Sequence, residues 1–149
     1  MKKQAIQDSL SALLVLLFVY ASFSKYADFK YFQQSMHRQP FPNWLVTSII
    51  WMLPPLEIAI AGLLAFSRTR LLGLYAFIII MSLFTFYIVA ILLNLFPIVP
   101  CSCGGLIQSL GWLPHLFLNL FFILIAGLVL RMEFLNIKKE RKNSTKNQR

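Results

Sequence analysis

Cys101 and Cys103 are the only cysteines in the chain, one residue apart in the stretch Pro100-Cys101-Ser102-Cys103-Gly104-Gly105. A disulfide between them closes a very small ring. Its Cα atoms must approach within about 4.4–6.8 Å, which an extended i, i+2 pair barely meets, so the backbone has to bend. Pro100 restricts Val99 and fixes its own φ, while Gly104 and Gly105 permit positive φ and close backbone approach. A strained bridge is more oxidising and more labile than a relaxed one. The pair therefore suits thiol–disulfide exchange, in which a partner's thiolate attacks one sulfur and the other leaves or resolves. His115 follows Cys103 by twelve residues, and an imidazole there can stabilise a thiolate or relay a proton. Three other readings stay open. Two inert cysteines can pack as small hydrophobes. A static i, i+2 bridge closes almost no loop and stabilises little. Cys101, Cys103, His115 and His37 are the right ligand types for a metal, but at an unusual spacing, and no metal is expected.

Glu57 is the other residue with chemistry to offer. It lies thirteen residues beyond Trp44, about 20 Å along a helix, inside an apolar run where an ionisable group is costly and faces the bundle interior with a partner or a proton. It is either a proton or substrate site or a hydrogen-bonded packing residue. Asn94, Asn119 and Tyr20 are candidate partners. Asn119 shares a helix face with His115, four residues away, and Asn in that setting commonly joins helices. Gly62 and Gly73 read as packing contacts.

The elements that must position these groups are membrane helices. The chain has 149 residues, is 58% hydrophobic and only 13% charged, against about 25% charge for soluble domains. Four apolar runs, about 6–23, 44–66, 71–96 and 112–130, each approach the roughly 20 residues that cross a hydrocarbon core. The expected fold is all-α, an integral membrane four-helix bundle over residues 1–131, followed by a basic tail, 132–149, frayed beyond Lys142. The first run is read as an uncleaved helix rather than a signal peptide. Residues 25–43 form an aromatic-rich connection that suits an interfacial helix, ended by Pro40 and Pro42. Pro54-Pro55 should kink the second span.

Charge sets the expected orientation. Seven of the fourteen Lys and Arg lie in the last nineteen residues; Lys2, Lys3, Arg68 and Arg70 fall on the same side of an up-down bundle. By the positive-inside rule both termini are cytoplasmic. The first connection, with Lys25, Lys30 and Arg38 against Asp28, carries a net charge of +2 and is a mild violation. The charge-free loop with the cysteines then faces the periplasm of a bacterial inner membrane, an oxidising compartment. The net charge of +9 is a topology signal plus lipid affinity; no nucleic-acid motif accompanies it.

These residues together resemble the methylamine-utilisation MauE family, within the DoxX-like group of four-helix membrane proteins. The resemblance covers about Ser9 to Leu130. It rests on "FVYASFSKYADF", on "PPLEIAIAGLL" with Pro54, Glu57 and Gly62, and on "PCSCGG" followed by "GWLPHLFLNL" with Cys101, Cys103, Gly105 and Asn119. Gly104 departs from it, standing where many relatives carry an aromatic residue. The resemblance implies a redox-associated role: support of methylamine dehydrogenase maturation, whose small subunit is rich in disulfides, alongside a thioredoxin-like partner. The expectation for this chain is thiol–disulfide traffic with a periplasmic thioredoxin-like or cysteine-containing client, through Cys101 and Cys103. Any enzymatic activity would be of thiol–disulfide oxidoreductase type. Quinone-linked disulfide generators share the architecture, which extends the expectation to quinone as electron acceptor. The alternatives are a non-catalytic scaffold or chaperone subunit, and a small-solute transporter using Glu57.

Overall fold

The computed structural model describes residues 2–95 and 111–147. The described residues form five helices: α1 (Lys2–Ala27), α2 (Phe29–His37), α3 (Asn43–Ala65), α4 (Arg70–Leu92) and α5 (Trp112–Asn147). Four of them, α1, α3, α4 and α5, are long and apolar enough to cross a membrane. Their outward faces carry large apolar side chains such as Leu16, Phe23, Phe86 and Leu124, while Gln7, Ser22, Lys25, Glu57, Arg70, His115 and Asn119 are buried. Such an inside-out distribution suits a hydrocarbon surround, where polar groups must find partners within the bundle.

The four long helices alternate in direction. Ser22 in α1 donates to the Pro54 carbonyl of α3 at 3.0 Å, and Gln7 near the start of α1 accepts from Asn136 far along α5 at 2.8 Å. Arg70 at the start of α4 reaches both Asp8 (2.9 Å) and Glu133 (3.4 Å). That ionic knot gathers the start of α1, the α3–α4 turn and the distal part of α5 at one end, here the basic end. The other end holds the close of α1, all of α2, the start of α3, the close of α4 and the start of α5.

Local sequence explains the joints. Asp28 caps α2, its Oδ1 accepting from the Tyr31 N–H at 3.2 Å, as short polar side chains do at helix starts. Thr69 closes the α3–α4 turn by donating to the Leu63 carbonyl at 2.9 Å. Gly73 lets α4 lie against the α3 backbone: a Cβ there would stand 2.9 Å from the Leu64 nitrogen. Gly62, by contrast, faces open space, so of the two glycines expected as packing contacts only Gly73 is one. Helix α3 continues through Pro54 and Pro55.

Two helices run further than the apolar pattern suggests, and one stops sooner. Helix α1 continues past Phe23 to Ala27, and α5 stays helical through Asn147 instead of fraying beyond Lys142. Helix α4 ends at Leu92 because Asn94 adopts φ 58°. The Leu95 N–H bonds the Ala90 carbonyl and the Asn94 N–H bonds the Ile91 carbonyl, which together make a Schellman closure.

The core has two parts. Leu14, Phe18, Ile60, Leu64, Leu74, Phe77, Phe122 and Val129 fill the space between all four long helices. Phe32 and Met36 of α2 pack on Val46 and Ile50 of α3. Between these clusters the helices do not close.

Candidate functional site: a buried ion pair in an apolar cavity

The gap between the two core clusters is a cavity of about 290 Å³. Apolar and aromatic side chains make most of its wall, among them Phe18, Phe32, Phe41, Phe84, Trp112 and Phe122. Six polar residues break that wall: Lys25, Gln39, Glu57, Tyr87, His115 and Asn119. They come from the four long helices and, through Gln39, from the α2–α3 connection, so the sequence does not show them as one cluster.

Lys25 and Glu57 are the centre of the cluster. The Lys25 ammonium donates to Glu57 Oε1 at 2.8 Å and Oε2 at 3.0 Å, and to the Ala21 carbonyl at 3.2 Å. The two side chains are 4% and 3% exposed. Helix direction explains how they meet. Side chains lean towards the N-terminus of their own helix. In the antiparallel α1 and α3 that lean carries Lys25 back to the level of Ala21 and Glu57 back towards Pro54. All three ammonium N–H bonds are thereby used, and both carboxylate oxygens are bridged. The Lys25 nitrogen also stands 6.0 Å from the Phe32 ring centroid, within reach of a cation–π attraction.

Glu57 is thus the buried intramembrane acid that the sequence suggests, but its partner is none of the three candidates. Asn94 is exposed and spent on ending α4. Tyr20 is exposed on α1. Asn119 lines the same cavity as Glu57, yet among the described residues its Nδ2 has no hydrogen-bond partner. The partner is Lys25, which the apolar pattern places in the first connection. With Lys25 withdrawn into the bundle, the exposed charges of that connection are Lys30 and Arg38 against Asp28, so its mild excess of positive charge is smaller than a count of the sequence gives.

His115 is buried and lines the cavity one helical turn before Asn119, whereas His37 is exposed at the end of α2. Tyr87 donates to Gln39 Oε1, and its ring packs on Phe41 at 5.3 Å and on Trp112 at 6.4 Å. This belt joins the α2–α3 connection, α4 and α5 at the end of the bundle opposite Arg70. Cys101 and Cys103 lie outside the described residues. Among those that are described, no cluster of three His, Cys, Asp or Glu side chains exists to hold a metal.

The family model for methylamine utilisation protein MauE matches residues 3–132. The chain belongs to the MauE family. The match takes in every polar residue of the cavity, three of the four apolar helices and the fourth as far as Met132, and this MauE-family chain is a multi-pass membrane protein. No curated protein and no solved structure matches it. The Lys25–Glu57 pair and Asn119 are among the buried polar groups that a helical bundle in lipid would have to satisfy internally.

Proposed function

We propose that this MauE-family chain supports the maturation of exported proteins, in a process of the methylamine-utilisation type, by thiol–disulfide exchange through Cys101 and Cys103. The basic end of the bundle is cytoplasmic in this reading, the membrane is the bacterial inner membrane, and the cysteine loop is periplasmic. The single observation that carries it is the alternation of the helices. Leu95 and Gly111, which bracket the loop, follow and precede helix ends that lie opposite the knot of Asp8, Arg70 and Glu133. The remaining support is the family assignment, which names methylamine utilisation, and the proline- and glycine-flanked Cys-x-Cys sequence itself.

The exchange balances without an outside reagent. A client thiolate attacks one sulfur of the Cys101–Cys103 disulfide, forming a mixed disulfide and releasing the other cysteine as thiolate. A second client thiolate then displaces the first sulfur, leaving a client disulfide and a reduced pair. Two electrons pass from client to pair, and the reverse sequence reduces or isomerises a client. His115, at the start of α5, is the proposed proton relay or thiolate stabiliser, and a periplasmic thioredoxin-like protein or cysteine-containing client is the proposed partner.

Thiol trapping in intact cells tests this. A membrane-impermeant maleimide should modify Cys101 and Cys103 from outside after mild reduction and fail to do so after oxidation. If both cysteines stay unreactive in both preparations, the redox role is wrong. Replacing both with serine while retaining client maturation would favour a scaffold. A second reading is kept by the Lys25–Glu57 pair, since paired charges in a membrane cavity also occur along solute paths. Loss of solute uptake in Glu57→Gln, with client maturation intact, would select it.

A further inference from the structure

The cavity's polar groups are not equally provided for. The Lys25 ammonium has three N–H bonds, and Glu57 and Ala21 take all three. Lysine and glutamate cancel in charge, so the cavity carries no net charge to attract an ion. Asn119 differs. It is 4% exposed, it lines the cavity, and its Nδ2 meets no acceptor among the described residues. A buried amide donor left unpaired carries a real desolvation cost, and such groups in native folds call for an explanation. Here the donor belongs to an apolar space of about 290 Å³, near the lower end of the roughly 300–1,000 Å³ typical of small-molecule sites. Phe32, Phe84, Trp112 and Phe122 wall it, and aromatic walls favour flat rings through offset or edge contacts.

We infer that this cavity binds an uncharged, bilayer-soluble ring compound through a carbonyl oxygen that accepts the Asn119 Nδ2–H bond. The ring lies among the aromatic side chains, and the carbonyl replaces the missing acceptor. A charged ligand would have to displace the Lys25–Glu57 pairing; a plain hydrocarbon chain would leave Asn119 unsatisfied. The inference concerns binding only, and it stands or falls independently of the thiol chemistry proposed above.

The probe is 2-methyl-1,4-naphthoquinone, with 2-methylnaphthalene as the matched ring without carbonyls. The full chain is used in lipid nanodiscs with Cys101→Ser and Cys103→Ser, which prevents thiol addition to the quinone and keeps the test separate from the redox reading. Trp44→Phe and Trp51→Phe remove the two exposed tryptophans, leaving Trp112 in the cavity wall as reporter. Saturable quenching of Trp112 by the naphthoquinone is expected, with the hydrocarbon binding about tenfold more weakly, the worth of one neutral hydrogen bond. Asn119→Leu should bring the naphthoquinone down to the hydrocarbon's affinity. Ala21→Phe, which fills the cavity, should abolish saturation by both. If Asn119→Leu does not fold, the ratio of the two probes and the Ala21→Phe result decide. Equal affinities for the two probes, an unchanged affinity in Asn119→Leu, or no saturation at all would each overturn the inference and leave the cavity as lipid-filled packing space.

Discussion

Removing one member of the Lys25–Glu57 pair should cost far more than removing both. Lys25→Met deletes three hydrogen bonds and leaves the Glu57 carboxylate, 3% exposed, with neither of its two ammonium contacts. Breaking a buried pair from one side typically costs about 3–5 kcal/mol, whereas replacing both charges with well-packed apolar groups is often neutral or stabilising. At ~2–4 °C per kcal/mol for a chain of this length, Lys25→Met should melt roughly 6–20 °C below the parent. Lys25→Met with Glu57→Met should return to within a few degrees of it. The coupling energy is then the non-additive remainder of a double-mutant cycle. Thermal melting of detergent-purified protein, followed by size-exclusion chromatography of the surviving fraction, measures all four corners. Additive losses within about 0.5 kcal/mol would show that the two residues do not depend on each other, and the account of the bundle's polar centre would be wrong.

Other consequences can be read by the same assay. Gly73→Ala should destabilise by about 1–3 kcal/mol, because its Cβ meets the Leu63–Leu64 backbone rather than a movable side chain. Gly62→Ala, with nothing within 4 Å, should gain about 0.5–1 kcal/mol from helix propensity. Arg70→Met should lose more than Asp8→Asn: Arg70 is buried between two carboxylates, whereas Asp8 is half exposed and exposed pairs contribute about 0–1 kcal/mol. Asn119→Leu should raise the melting temperature in the absence of any ring compound, since it removes an unpaired buried donor.

The helical membrane architecture is plain in the sequence because apolar runs of spanning length have few other uses. Individual boundaries are less so, each for a local reason. The first run of apolar residues stops at Phe23, and a lysine two residues later reads as an interfacial anchor; only the antiparallel lean of α1 and α3 turns it inward. The end of α4 depends on Asn94 taking a left-handed conformation, which apolar Leu95 and Phe96 do not advertise. Residues 131–142 are rich in Lys, Arg and Glu, good helix formers, and that propensity was the available signal for the continuation of α5. Glu57 stands out as a lone acid, but the cavity around it does not, because periodicity assigns faces and says nothing about where facing side chains fail to meet. Asn119 gains its meaning only from that void.

The 32-residue separation of Lys25 and Glu57 also bears on the order in which the chain enters the bilayer. Synthesis at about 5–20 residues per second makes the lysine emerge roughly 2–6 s before its carboxylate. During that interval α1 carries an unmatched cation near its trailing end, which keeps that end at the headgroup level rather than in hydrocarbon. Arrival of α3 supplies the counter-charge and allows the last turn of α1 to be drawn in. The pair can thus act as a latch that closes in biosynthetic sequence, committing the first hairpin before α4 and α5 are made.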